Sequence, residues 1–178
     1  MEREKAANQI ALVDDRDNII GYGDKLKVHQ EGTLHRAFSV VVINEEGQWL
    51  LHRRALVKYH SPGVWTNTCC SHLTRGESMD EATRKRLLSE MGIKAEPKFV
   101  ESFQYKAAFE NGLIENEIDH VYIAHWDGDP DPDPEEVMDW KWSYPKDIEE
   151  DLASRPEDFS AWFPMVYDLL KPVLSKHS

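Results

Sequence analysis

Three observations predict a mixed α/β (α+β) fold in which a mixed β-sheet is sandwiched between helices. Strand-like and helix-like segments follow one another without regular alternation, which fits a mixed-sheet sandwich. The run Phe38–Ile43 shows almost no polar alternation and reads as a central strand covered on both faces. The segment from Ser78 to Gly92 carries the signals of both helix ends. With 178 residues, no internal repeat and no linker, the chain reads as a single domain over residues 1–178. That length suffices to bury about 70% of the surface that the unfolded form exposes.

In chain order, Gln9–Val13 reads as a short strand, Asp14–Asn18 as a turn and Ile19–Gly23 as a return with two glycines. His29 and His35 follow in a segment of weak periodicity. Arg36–Ile43 and Gln48–Arg53 are apolar, β-branched runs joined by the hairpin signal Asn44–Gly47. Ser61–Gly63 turns the chain into Trp65–His72, which holds both cysteines. If the end of that stretch is extended, Cys70 and His72 point one way and Cys69 the other.

Ser78–Glu81 has the form of a capping box, and the helix after it can bury Met79, Ala82, Leu87, Leu88 and Met91. Lys98–Ala107 and Glu117–Trp126 read as strands, with the turn Glu110–Gly112 and the triplet Glu115–Glu117 between them. The prolines of Asp127–Pro134 forbid helix and central strand. Its acids lack the order of a calcium loop, so a solvated loop is expected. A strand at Trp140–Tyr144, a helix from Pro145 to Ala153 and an amphipathic segment from Glu157 to Lys176 complete the chain.

Composition narrows the function classes. Hydrophobic residues make up 40% of the chain, which argues for a globular protein and against disorder. Residues 1–7 lack the apolar core of a signal peptide, and runs such as Val40–Ile43 are too short to span a bilayer, so no membrane association is expected. Two adjacent cysteines cannot pair without strain, which fits a reducing cytoplasm. A net charge of −12 repels nucleic acid. An anionic substrate therefore needs a local basic patch, for which Lys25, Lys27, Arg53, Arg54 and Lys58 are available, although each alone also suits a solvated surface.

Two constellations could carry chemistry. His29, His35, His72, Glu115 and Glu117 supply three imidazoles and two carboxylates, a donor set that suits Mn²⁺ or Zn²⁺ better than Mg²⁺. On spacing alone, the same histidines read first as surface or hydrogen-bonded groups. His52, His60, His120, His125 and His177 are assigned no role. The second is an acid–base pair, Cys70 and Glu117, set against the plain reading of two small buried thiols.

Around the capped helix, Glu77, Leu87, Glu90, Gly92 and Ile93 resemble part of the Nudix signature, while Ser71, Lys85, Arg86 and Ser89 depart from it. Losing two acidic positions, at Arg86 and Ser89, leaves the water-activating cluster of a Nudix diphosphate hydrolase incomplete. A further set of stretches, Leu34–Ser39, Arg53–Ala55, Pro62–His72, Tyr105–Lys106, Glu115–Glu117 and Trp162, resembles the type I isopentenyl diphosphate isomerases, which have a Nudix fold.

That resemblance implies Cys70 and Glu117 as catalytic residues, with Tyr105 assisting. It implies His29, His35, His72, Glu115 and Glu117 as ligands of one divalent metal (Mn²⁺ or Zn²⁺, with Mg²⁺ as the alternative). Glu90 would help to hold a Mg²⁺ bound with the substrate diphosphate. Lys25, Arg54, Lys58 and Ser71 would contact that diphosphate, and Trp162 would line the site, its alternative being core packing. The implied partner is a small molecule, isopentenyl or dimethylallyl diphosphate, with no nucleic acid or membrane, in a cytoplasmic monomer or weak dimer. A partner-binding protein without catalysis remains the rival that would explain the acidity alone.

Overall fold

A computed structural model describes residues 8–58 and 60–175; the expected end of the last helix at Lys176, and His177, lie outside them. Among the described residues, nine strands and four α-helices follow in order: β1 (Gln9–Val13), β2 (Ile19–Asp24), α1 (Lys25–Glu31), β3 (His35–Ile43), β4 (Trp49–Arg54), β5 (Trp65–Thr66), β6 (Cys69–His72), α2 (Met79–Met91), β7 (Lys98–Ala108), β8 (Ile114–His125), β9 (Val137–Ser143), α3 (Pro145–Ser154), a 3-10 turn at Pro156–Asp158 and α4 (Phe163–Ser175). No helix among the described residues is long and apolar enough to cross a membrane.

Strand β3 is the centre. Along its full length it pairs in parallel with β8, whose other edge takes β7. Its opposite edge is shared, with β6 opposite Ala37–Val40, and β1 and β4 each touching at a single position. The expected hairpin of β3 and β4 is therefore real only at its turn, because the pairing stops after Ile43 and Trp49. Beyond it the strands diverge, and Asn67 and Thr68 fill the gap. Thr68 Oγ1 accepts from Val42 N and donates to Leu50 O, while Asn67 Nδ2 donates to Val40 O and Cys69 O. These side chains satisfy backbone groups that would otherwise be buried without partners, and they divide the stretch Trp65–His72 into two strands.

Alternation along β3 sends Phe38, Val40 and Val42 into one core and Val41 and Ile43 into the other. The first core packs against Ala82, Leu87 and Met91 of α2, and the second against Phe163, Val166, Tyr167 and Leu170 of α4. Coverage on both faces explains the missing polar alternation of the sequence. Helix α2 starts at Ser78, whose Oγ accepts from Glu81 N, and ends at Gly92 with φ 65°. Leu88 is 53% exposed, and Glu90 takes a buried place on that helix instead.

The acidic loop does more than face solvent. Asp131 N and Asp133 N donate to Met91 O and Glu90 O, two of the carbonyls left open at the end of α2. A side chain at Gly92 would bring a Cβ within 2.7 Å of Asp131 O, so glycine is required by contact as well as by its positive φ.

Candidate active site

The helix α1, which weak periodicity concealed, brings the first imidazole into place. Asp24 Oδ2 accepts from Lys27 N at its start, and Gly32 ends it after seven residues. Lys25 and His29, four apart, share one face. Asn116 Nδ2 donates to Gly32 O, so the amide between the two glutamates ties β8 to the end of α1. The triplet Glu115–Glu117, expected between two strands, lies inside β8.

His35 opens β3, opposite Glu117 on β8. His72 closes β6 opposite Ala37, and Cys70 lies opposite Ser39. Residues directly opposite share a face, so His35, Ala37, Ser39, Cys70, His72, Glu117 and Asp119 all stand on the α4 side of the sheet.

Ligand atoms of His29, His35, His72 and Glu115 lie within 4.8 Å of one another. Glu115 Oε1 is 2.9 Å from His29 Nε2 and 3.2 Å from His60 Nε2, and Oε2 is 3.5 Å from His35 Nε2 and 3.9 Å from His72 Nε2. Glu117 Oε2 is 3.4 Å from His35 Nε2 and 3.7 Å from His72 Nε2.

The tautomers decide whether a cation fits. His29 Nδ1 lies 2.6 Å from Lys25 O and His35 Nδ1 lies 2.9 Å from Thr33 O. A carbonyl only accepts, so both Nδ1 atoms carry hydrogen and, in the neutral ring, both Nε2 atoms present lone pairs. Those lone pairs face carboxylate oxygens, and His35 Nε2 and Glu115 Oε2 are buried without a hydrogen-bond partner. Acceptors converging on acceptors, with nitrogen and oxygen donor atoms, suit a divalent cation.

Electrostatics agree. Burial raises Glu115, but the four imidazoles gathered round it, of His29, His35, His60 and His72, outweigh that effect and hold its carboxyl well below the usual range. Glu117 is pushed well above its ordinary value by burial and then by the charges of Glu115 and Asp119. His72 is driven down to about 3, mainly by burial.

Beside this cluster opens a pocket whose wall includes Cys70, Ser71, Trp162, Glu90 and four cations, Lys25, Arg54, Lys58 and Arg86. Burial, then the charges of Lys58 and Arg86, lower the pKa of Lys25. Arg54 donates to Ser61 O and His60 O, and its guanidinium lies over the Trp162 ring, 5.3 Å from the centroid. Burial pushes the Cys70 thiol up to about 12. Tyr105, opposite Glu117 across β7 and β8, stands behind the lining with its hydroxyl buried and unpartnered.

The NUDIX domain family matches residues 33–163. The isopentenyl-diphosphate Delta-isomerase of Serratia proteamaculans is 46% identical over 86% of this chain and 86% of its own length. Isopentenyl-diphosphate Delta-isomerase 2 of Aromatoleum aromaticum is 44% identical over 90% of this chain and 85% of its own. The chain belongs to the isopentenyl-diphosphate Delta-isomerase family. Among solved structures, one from Deinococcus radiodurans superposes with a TM-score of 0.74 at 20% identity, covering 90% of this chain and 98% of its own, a likeness that concerns the fold alone.

In this Delta-isomerase family member, every site residue implied by the resemblance except Tyr105 falls in the histidine cluster or on the pocket wall. Lys27 does not line the pocket, and Arg53 is directed to Gly63 O. Sequence reasoning missed three residues. Arg86, noted there only as a departure from the Nudix pattern, lines the pocket and donates to Glu90 Oε1 at 2.7 Å. Asp119, two residues after Glu117 on the same face, accepts from Ser39 Oγ at 2.8 Å, and alternation from Glu117 could have found it. His60, left without a role, reaches Glu115. Its loop position offered no periodic signal.

Proposed function

We propose that the chain interconverts isopentenyl diphosphate and dimethylallyl diphosphate, with proton transfer on two opposed walls of the pocket. The carrying observation is the placement of Cys70 and Glu117 on one sheet face, from strands that flank β3 on opposite edges. Strands lie about 4.8 Å apart, so β6 and β8 run about 10 Å apart across β3, and the two residues are offset by four positions along it, from Ser39 to His35. The small Ala37 stands between them and lines the pocket, leaving room for a short branched alkenyl chain.

Lys25, Arg54, Lys58, Ser71 and Arg86 bind the diphosphate, the guanidiniums by paired hydrogen bonds to its oxygens. Glu90 would help to hold a Mg²⁺ bound with the diphosphate. His29, His35, His72, Glu115 and Glu117 would hold the other divalent ion, Mn²⁺ or Zn²⁺ with Mg²⁺ as the alternative, which would supply positive charge beside Glu117.

Protonation of the terminal alkene carbon creates a tertiary cation, and loss of a proton from the carbon on its other side completes the shift of the double bond. One of these protons moves at Cys70 Sγ and the other at a Glu117 carboxylate oxygen, and reversal of the reaction exchanges their roles. A thiol with a pKa of about 12 keeps its proton at neutral pH until the substrate takes it. The Tyr105 hydroxyl, also kept protonated by burial, backs Glu117. Trp162 presents its ring to the cation, a contact worth about 2 kcal/mol when desolvated. The Arg54 guanidinium over the same ring supports this reading. Exclusion of water keeps the cation from capture.

Nuclear magnetic resonance of isopentenyl diphosphate incubated with the metal-loaded protein in heavy water tests the mechanism. Deuterium is expected in both isomers, and a strong chelator is expected to stop its entry. Isomer formed without deuterium would exclude the protonation route, and phosphate release without isomer would favour hydrolysis.

A further inference from the structure

We propose that His60 is a positioning residue of the metal centre, which donates its Nε2–H to Glu115 Oε1 and so turns Oε2 of the same carboxylate toward His35 and His72. The proposal rests on the reading that the histidine–glutamate cluster holds a divalent ion.

Two imidazoles approach Glu115 Oε1, and their other nitrogens distinguish them. His29 Nδ1 faces a carbonyl, which commits its hydrogen there and leaves Nε2 as a lone pair. His60 Nδ1 instead lies 3.4 Å from Ser61 Oγ, a hydroxyl that can itself donate. With that hydroxyl donating to Nδ1, the His60 ring carries its hydrogen on Nε2, 3.2 Å from Glu115 Oε1.

The ring is held firmly enough to orient its neighbour. It stacks on Phe109 at a centroid distance of 5.1 Å and an interplanar angle of 17°, and meets the edge of Trp162 at 5.9 Å. Its own carbonyl and that of Ser61 accept from Arg54, and Ser61 adopts a positive φ of 49° to present them. One two-residue segment therefore fixes both a metal-ligating carboxylate and a cation of the pocket wall. Hydrogen bonds behind metal ligands commonly change metal affinity by about 10–100-fold when removed.

The test uses His60→Phe, which keeps the stacked ring and removes the donor, and His60→Gln, whose amide can restore a donor near Nε2. The full-length proteins are loaded with Zn²⁺ or Mn²⁺, and the dissociation constant is measured by competition with a chromogenic chelator. The expected result is about 10–100-fold weaker binding for His60→Phe and near recovery for His60→Gln. KM for the substrate is expected to stay within about twofold, because Arg54 is held by the backbone carbonyls of residues 60 and 61, which both substitutions keep. Equal affinity of His60→Phe and the wild-type protein overturns the assignment. Wild-type protein that binds neither ion overturns the metal reading itself. If His60→Phe does not fold, His60→Gln is compared with His60→Asn, whose amide is one methylene shorter. Equal affinities of those two overturn the assignment as well.

Discussion

Cys70 and Glu117 look into the same pocket from opposite edges of one strand, β3. Cys70 lies opposite Ser39 on one side, and Glu117 lies opposite His35 on the other. Their separation is therefore set by the spacing of a hydrogen-bonded sheet and does not depend on a loop.

Replacement of Cys70 by Ala is expected to lower kcat by about 10²–10⁴-fold, the usual range for a lost acid–base group, with KM nearly unchanged. Cys69→Ala removes a thiol that donates to Glu90 Oε2 at 3.0 Å from the opposite face. It is expected to keep most of the turnover and to lose about 1 kcal/mol of stability. Steady-state kinetics and urea unfolding measure both, and equal losses of kcat would remove the distinction between the two thiols.

Ala37→Leu places a branched side chain between the two walls. Ala37 is 3% exposed and stands between His72 on β6 and Asp119 on β8. A fall in kcat/KM of about 100-fold is expected from displacement of the reacting carbons. Metal content is measured in parallel. Unchanged kcat/KM would show that the substrate lies elsewhere.

His52 gives the fold a defined sensitivity to acid. Its Nδ1 lies 2.6 Å from Asn67 O and 3.0 Å from Thr68 O, inside the join between β5 and β6. Burial, and then the charge of Arg54, lower its pKa to about 4 from 6.5. The folded state resists a proton that the unfolded state accepts. Stability is therefore fully present above the unfolded value and is lost as pH falls from there toward about 4. The difference between pH 7 and pH 4.5 is about 2 kcal/mol from this group. His52→Asn keeps a donor toward the same carbonyls and cannot be protonated. Its stability is expected to fall less between those two pH values, and identical pH slopes in urea unfolding would exclude the effect.

Much of the fold was legible because hydrophobic period and helix ends are local. The doubly covered strand at Phe38–Ile43, the helix from Ser78 to Gly92 and the alternation of Cys69 with Cys70 each depend on neighbours in sequence. Helix α1 was not legible, since it runs for only seven residues and buries only Val28 and His29. The capping role of Asp131 and Asp133 was hidden because backbone N–H groups, present in every residue but proline, perform it. Resemblance to the isomerases, carried by short motifs, pointed to residues that spacing alone left open.

By itself, the sequence determined which residue types were available and which face of its own strand or helix each would occupy, because backbone geometry sets those periods. Only the tertiary structure decided which faces meet. The parallel pairing of β3 with β8 brings His35 beside Glu117, 82 positions apart by their residue numbers. The loop after β4 delivers His60 to Glu115, and the α4 face brings Trp162 to Arg54. Those meetings arise from burial of two cores around one strand, a condition that the whole chain satisfies at once and that no local stretch encodes.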